Sequence, residues 1–159
     1  MKGLRAVLLT YCFTVFLSQA ADGAQVGTSA VTFRFQEIDE IAITGSPLLT
    51  ISSAVAGQEP QPVVDTSSTY SISTNGTNKR ITASISRTMP PHTILEIQLE
   101  DPGSGTSMGF VTLSTVAADV VTGISRAAAA NRTITYRFSA TTAAGILTKA
   151  CTVTLTLSD

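Results

Sequence analysis

The sequence has no tryptophan, one histidine and two cysteines among its 159 residues, and only 13% of it is charged. Each shortage removes a class of chemistry. A zinc site needs three or four ligands, mostly His and Cys, and these residues are too few to make one. A nucleophile–base pair needs an imidazole oriented by a third group. The one histidine, His92, sits in the proline bend Met89-Pro90-Pro91-His92, and the chain has no Gly-x-Ser-x-Gly motif to mark a nucleophile. His92 therefore reads as an exposed loop residue, and neither enzymatic activity nor a cofactor is expected. The missing Trp removes the aromatic side chain best suited to stacking on a ligand ring. With a formal net charge of -1, no basic surface is available for nucleic acid or anionic lipid.

Long apolar runs are also scarce. The longest is Ala6–Leu17, interrupted by Thr10 and Thr14, preceded by Lys2 and Arg5 and followed by Ser18-Gln19-Ala20. A basic start, a short apolar run and small residues at the cut make residues 1–20 a cleaved secretory signal. The run is too short to cross a bilayer stably, so the mature form is expected to have no membrane span. The expected locations are extracellular, cell-surface or periplasmic. Cleavage after Ala20 (a cut nearer Ala24 is the alternative) leaves 8 basic residues against 11 acidic, a net charge of -3, and one cysteine, Cys151. An internal disulfide is then excluded, and stability must come from packing. Cys151 shares the phase of Val153, Leu155 and Leu157, which predicts burial; pairing with another chain is the alternative.

What the chain does have is 43% hydrophobic residues, abundant Thr and Ser, and alternation of period two. This is not the composition of a disordered chain, and the length suits one domain. Val31, Phe33 and Phe35 alternate with polar neighbours, and the pairs Phe33/Phe35 and Tyr136/Phe138 each fall on one strand face, which reads as core. Leu48–Ala56 can form a strand. Tyr70 and Ile72, then Ile81, Ala83 and Ile85, flank Asn75-Gly76, a strong turn signal that predicts a hairpin. Leu95, Ile97 and Leu99 share a face, a strand is expected around Phe110–Ser114, and Ala127–Ala130 can make one helical turn. Thr133–Asp159 reads as a closing hairpin joined near Thr142–Gly145. The sum is an all-β, antiparallel immunoglobulin-like β-sandwich of about eight strands over residues 31–159, with residues 21–30 a flexible N-terminus. A small β-barrel is the alternative.

The polar clusters are sparse. Glu100-Asp101, with loop carbonyls, offers oxygen ligands to calcium, but no Asp-x-Asp-x-Asp-Gly loop is present, so solvated turn charges are the simpler reading. Gly103-Ser104-Gly105 precedes a strand, not the helix that a phosphate cradle requires. Asn75-Gly76-Thr77 and Asn131-Arg132-Thr133 match the N-glycosylation pattern. Two functions follow as expectations. The first is a secreted structural or adhesive subunit, in which an edge strand pairs with a neighbour; the donor would be residues 21–30, with Val26 as its one large apolar side chain. The second is a ligand-binding module, with glycans as the first class, using the loop residues His92, Glu100, Asp101 and Asn131.

The segments YSISTNGTNKRITASI, GFVTLSTVAADVVTGIS and TITYRFSATTAAG together resemble small secreted bacterial immunoglobulin-like β-sandwich proteins of unknown function. The ending TKACTVTLTLSD is similar to the last strand of pilus and spore-coat-type surface subunits and of WxL surface domains. The resemblance implies a surface location and subunit assembly. The chain departs from those patterns in having no Trp and no second mature cysteine.

Overall fold

The computed structural model describes residues 26–159; the expected signal peptide, residues 1–20, lies outside them. The chain divides into a segment ending at Arg34 and a compact unit, Phe35–Asp159. Residues 26–34 carry no regular secondary structure, and Val26, Val31 and Phe33 are exposed.

The compact unit is all-β. Its strands are β1 (Asp39–Thr44), β2 (Val63–Thr74), β3 (Lys79–Ile85), β4 (Thr93–Leu99), β5 (Thr106–Ser107), β6 (Val111–Thr112), β7 (Ala118–Ile124), β8 (Ala128–Ala140) and β9 (Val153–Ser158). They form two antiparallel sheets, β1-β2-β8-β4-β6 and β5-β7-β3-β9. Two sheets over a shared core make a sandwich-like arrangement. The expected count of about eight becomes nine among the described residues: β6 falls inside the strand expected around Phe110–Ser114, and two-residue β5 was not foreseen.

Alternation decides which side chains enter the core. On β4, Leu95, Ile97 and Leu99 are buried; on β3 these are Ile81, Ala83 and Ile85; on β2, Tyr70 and Ile72. Ile134 and Tyr136 of β8 and Leu155 of β9 join the same cluster, with Phe138, Cys151, Val153 and Leu157 packed against it half-buried. Cys151 is a free thiol.

Four expectations fail, each for a nonlocal reason. First, β2 and β3 do not form a hairpin: β2 pairs with β1 and β8, whereas β3 pairs with β7 and β9. Asn75-Gly76 does reverse the chain, but across the sandwich, from one sheet to the other. Second, the closing hairpin is absent, since β8 lies in the first sheet and β9 pairs only with β3. Third, Leu48–Ala56 is not a strand. Gly45 turns the chain away at φ +115°, packed so closely on Ser68 that a Cβ there would lie 2.8 Å from the Ser68 Cα. Fourth, Phe33 and Phe35 are not core: they are 91% and 79% exposed. Their alternation is that of a strand, but among the described residues no strand pairs with them.

Candidate functional site

The four expected ligand residues do not converge. β4 separates His92, just before it, from Glu100 and Asp101, just after it, by roughly 25 Å of extended chain. β8 runs antiparallel to β4, with Thr93 opposite Ala140 and Leu99 opposite Ile134. That register brings Asn131, Arg132 and Thr133 to the Glu100 end. There the Glu100 carboxylate accepts the Thr133 backbone N–H at 2.9 Å and Arg132 Nη1 at 2.9 Å. These donors, Thr133 first, hold its carboxyl below the usual range. The buried Tyr70 hydroxyl donates to the Glu100 carbonyl, and desolvation, followed by the charge of Asp101, raises its pKa. Asp101 accepts the Gly103 N–H at 2.6 Å. Asn131, at φ 54°, donates its backbone N–H to Ser71 Oγ at 3.1 Å. Both carboxylate oxygens of Glu100 and one of Asp101 thus accept hydrogen bonds from the protein itself, and the cluster ties the ends of β4 and β8 together.

His92 stands at the other end, also with positive φ (64°), and its carbonyl accepts the Thr141 N–H at 3.0 Å. It borders a shallow, open depression with Glu59, Ile94, Ser139 and Thr141. The Glu59 carboxylate accepts the Thr142 N–H at 2.6 Å and its hydroxyl at 3.1 Å. Sequence reasoning passed over Glu59 because its partner lies 83 residues away.

A second polar cluster was invisible in the sequence. Lys79 is a buried cation at the start of β3, with its ammonium 2.7 Å from Glu37, 2.8 Å from Asp39 and 2.5 Å from Asp159. Burial of a charge is tolerated only when it is paired in this way. The three carboxylates, Asp159 first, hold the ammonium charged and raise its pKa. Asp39 is held below the usual carboxylate range, chiefly by Lys79 and then by the Thr74 hydroxyl. Asn75 fixes the approach of this segment: its side chain accepts the Ile38 N–H at 2.9 Å and donates to the Gln36 carbonyl at 2.7 Å. Gly76 is demanded by packing and not by φ, since a Cβ there would collide with the Lys79 stem. Lys79 therefore joins the beginnings of β1 and β3 to the end of β9.

That junction lies at one end of the two long open edges. β1 borders the first sheet and β9 the second, and the two strands approach each other along the same side. The opposite edges are the short strands β5 and β6. Just before β9 the Thr152 carbonyl accepts the Ser86 N–H at 2.9 Å, and Val153 at the start of β9 is opposite Ile85. Bonding alternates along an antiparallel ladder. Thr154, Thr156 and Ser158 consequently turn their N–H and C=O groups to β3, and Val153, Leu155 and Leu157 turn theirs to the open side. No described strand pairs with that side. β1 carries the charges of Asp39 and Glu40, a common protection of edge strands. Residues 153–158, Val-Thr-Leu-Thr-Leu-Ser, carry no charge and no proline.

Among the described residues, no group of three or more His, Cys, Asp or Glu is placed to hold a metal ion, and no helix is long and apolar enough to cross a membrane. Comparison with family models, with curated proteins and with solved structures found no match to this chain.

Proposed function

We propose that this chain is a non-enzymatic, secreted or cell-surface structural protein whose copies associate by pairing of edge strands. The observation that carries the reading is β9: six residues of alternating Val, Thr and Leu at the border of a sheet, uncharged, with main-chain donors and acceptors turned outward. An edge without charge, proline or cover is a template for another strand, and a strand added there gains affinity from main-chain hydrogen bonds and selectivity from alternate side chains. The strand order supports an immunoglobulin-like version of the sandwich. β1, β2, β8 and β4 follow the order A, B, E, D, while β3 and β9 take the places of C and F, whose outer neighbour would be G. The likeness of the sequence ending to pilus and spore-coat-type subunits agrees with this reading. Secretion rests on the expected signal at residues 1–20.

Size-exclusion chromatography with light scattering tests the proposal, run with and without reductant. Dimers or longer species that persist in reductant and disappear in Leu155→Lys are expected. A monomer at high concentration would refute it, and a species that reductant dissolves would assign the association to Cys151 instead. The depression beside His92 and Glu59 favours a second reading, a glycan-binding module. A glycan-array signal that His92→Ala abolishes would support this second reading, and an array without hits would remove it.

A further inference from the structure

We infer that β9 pairs with β9 of a second copy of this chain, antiparallel and across a two-fold axis at Leu155, so that one strand is both donor and acceptor. The inference rests on the edge-pairing reading above and names its partner and register.

Two independent observations carry it. The first is the pattern of the strand. Residues 152–158 read Thr-Val-Thr-Leu-Thr-Leu-Ser, and about Leu155 the sequence nearly mirrors itself: Thr154 answers Thr156, Val153 answers Leu157, and Thr152 answers Ser158. A two-fold interface sets one patch against the same patch, so every residue must suit its own mirror position. The ladder to β3 uses Thr154, Thr156 and Ser158 and leaves Val153, Leu155 and Leu157 bonding outward. In an antiparallel pair centred on Leu155 these three oppose Leu157, Leu155 and Val153 of the other copy. All are then hydrogen-bonded pairs, with about six main-chain bonds in total. A slip by two residues leaves one of the three without a partner inside β9. A slip by one sets apolar side chains opposite threonines on the other face.

The second is burial and charge along the same strand. Leu155 is buried, but Val153 and Leu157, on the same inward face, are only half-buried. In the mirrored register Val153 of each copy lies beside Leu157 of the other, and each covers a side chain that its own chain leaves half wet. The outer face gains Thr154 beside Thr156, a pairing that stabilises neighbouring strands. Charge selects the direction. Lys149 precedes the strand and Asp159 follows it, with no charge between. Antiparallel pairing turns the Asp159 end of one copy towards the Lys149 end of the other. Parallel pairing would set Asp159, with Glu37 and Asp39 beside it on Lys79, against the same residues of its copy, and like charges across strands destabilise. The interface is closed. Once the two β9 strands pair, the remaining edges are the two-residue β5 and β6 and the charged β1, so assembly stops at two chains.

Disulfide trapping and light scattering test it on the full chain carrying Cys12→Ser and Cys151→Ser. Thr154 and Thr156 are exposed, so cysteines there leave the core untouched. Chains with Thr154→Cys are mixed with chains with Thr156→Cys, one of them tagged so that mixed dimers separate by mass, and mildly oxidised. The mirrored register sets these positions opposite each other, with Cβ atoms about 5 Å apart. It holds Thr156→Cys and Ser158→Cys of two copies roughly 14 Å apart, so the first mixture should trap a covalent dimer about ten-fold more efficiently than the second. Ser158→Cys alone should not trap itself, since its copy lies roughly 20 Å away along the strand. Light scattering of the parent should give twice the mass of one chain. Equal trapping in the two mixtures overturns the inference, as does no trapping in either, or self-trapping of Ser158→Cys, which would show a parallel pair. Light scattering separates the two levels of failure. If the protein is a monomer, edge pairing itself is wrong. If it forms a ladder of larger species, or a dimer without the Thr154–Thr156 trap, edge pairing stands and only the choice of β9 as the partner falls.

Discussion

Ile97→Ala and Ile94→Ala make the same chemical change three residues apart on β4, but on opposite faces. Ile97 is fully buried, whereas Ile94 is 49% exposed. Truncating Ile97 removes three buried carbon groups, about 2.4 kcal/mol at roughly 0.8 per group, and the cavity left behind raises the loss to about 3–4 kcal/mol. β4 is clamped between β8 and β6, which limits how far the site can collapse. Ile94 loses about 1 kcal/mol or less, since half of its surface is already wet and no cavity forms. Any intrinsic strand preference is common to both variants and cancels. The difference of about 2–3 kcal/mol should separate the urea midpoints by roughly 1–2 M, with unchanged slopes. Equal midpoints, or a larger loss for Ile94, would refute the assignment of the inward face and with it the register of β4 on β8.

Glu96 and Arg137 are cross-strand neighbours joined by two hydrogen bonds of 2.6 and 2.8 Å, and the guanidinium stacks 4.0 Å from the Phe110 ring centre. Arg137 first among the causes holds the Glu96 carboxyl below the usual 4.5. Solvent screens the pair, so Glu96→Gln should cost about 0.5–1 kcal/mol at neutral pH. Because the folded value is the lower one, this stabilisation is complete above pH 4.5 and fades as pH falls through the folded value; stability curves of the two proteins should converge in acid. Lys79→Met leaves Glu37, Asp39 and Asp159 facing one another, and denaturation midpoints should drop at neutral pH, with the deficit shrinking as Asp39 protonates in acid. In the parent the raised Lys79 contributes fully below its ordinary 10.5 and loses its effect as pH rises from there toward the higher folded value; a parent whose stability deficit relative to neutral pH begins only above about pH 10.5 would agree. Gly76→Ala should cost about 1–3 kcal/mol by displacing the Lys79 stem, while Gly27→Ala, with nothing within 4 Å, should change thermal stability by less than about 0.5 kcal/mol.

The period of the hydrophobic pattern is local, and what depends on it could be read from the sequence. The β class, the inward faces of Leu95, Ile97 and Leu99 and of Ile81, Ala83 and Ile85, and the core roles of Tyr70 and Tyr136 all follow from spacing by two. Partner choice is nonlocal. Asn75-Gly76 announces a reversal, but whether the returning strand lies beside β2 or across the core depends on the Thr74 N–H, which bonds the Ala127 carbonyl at 2.8 Å in one sheet, and on β3 pairing with β9 in the other. Ala127–Ala130 has the composition of a helical turn, but residues 128–130 open β8 because β2 supplies a ladder for them. Glu59 meets Thr142, and Lys79 meets three carboxylates, only after distant segments are brought together. The same limit governs Val31–Phe35. Its alternation is written in the sequence, but burial requires a sheet edge, and among the described residues no strand pairs with it.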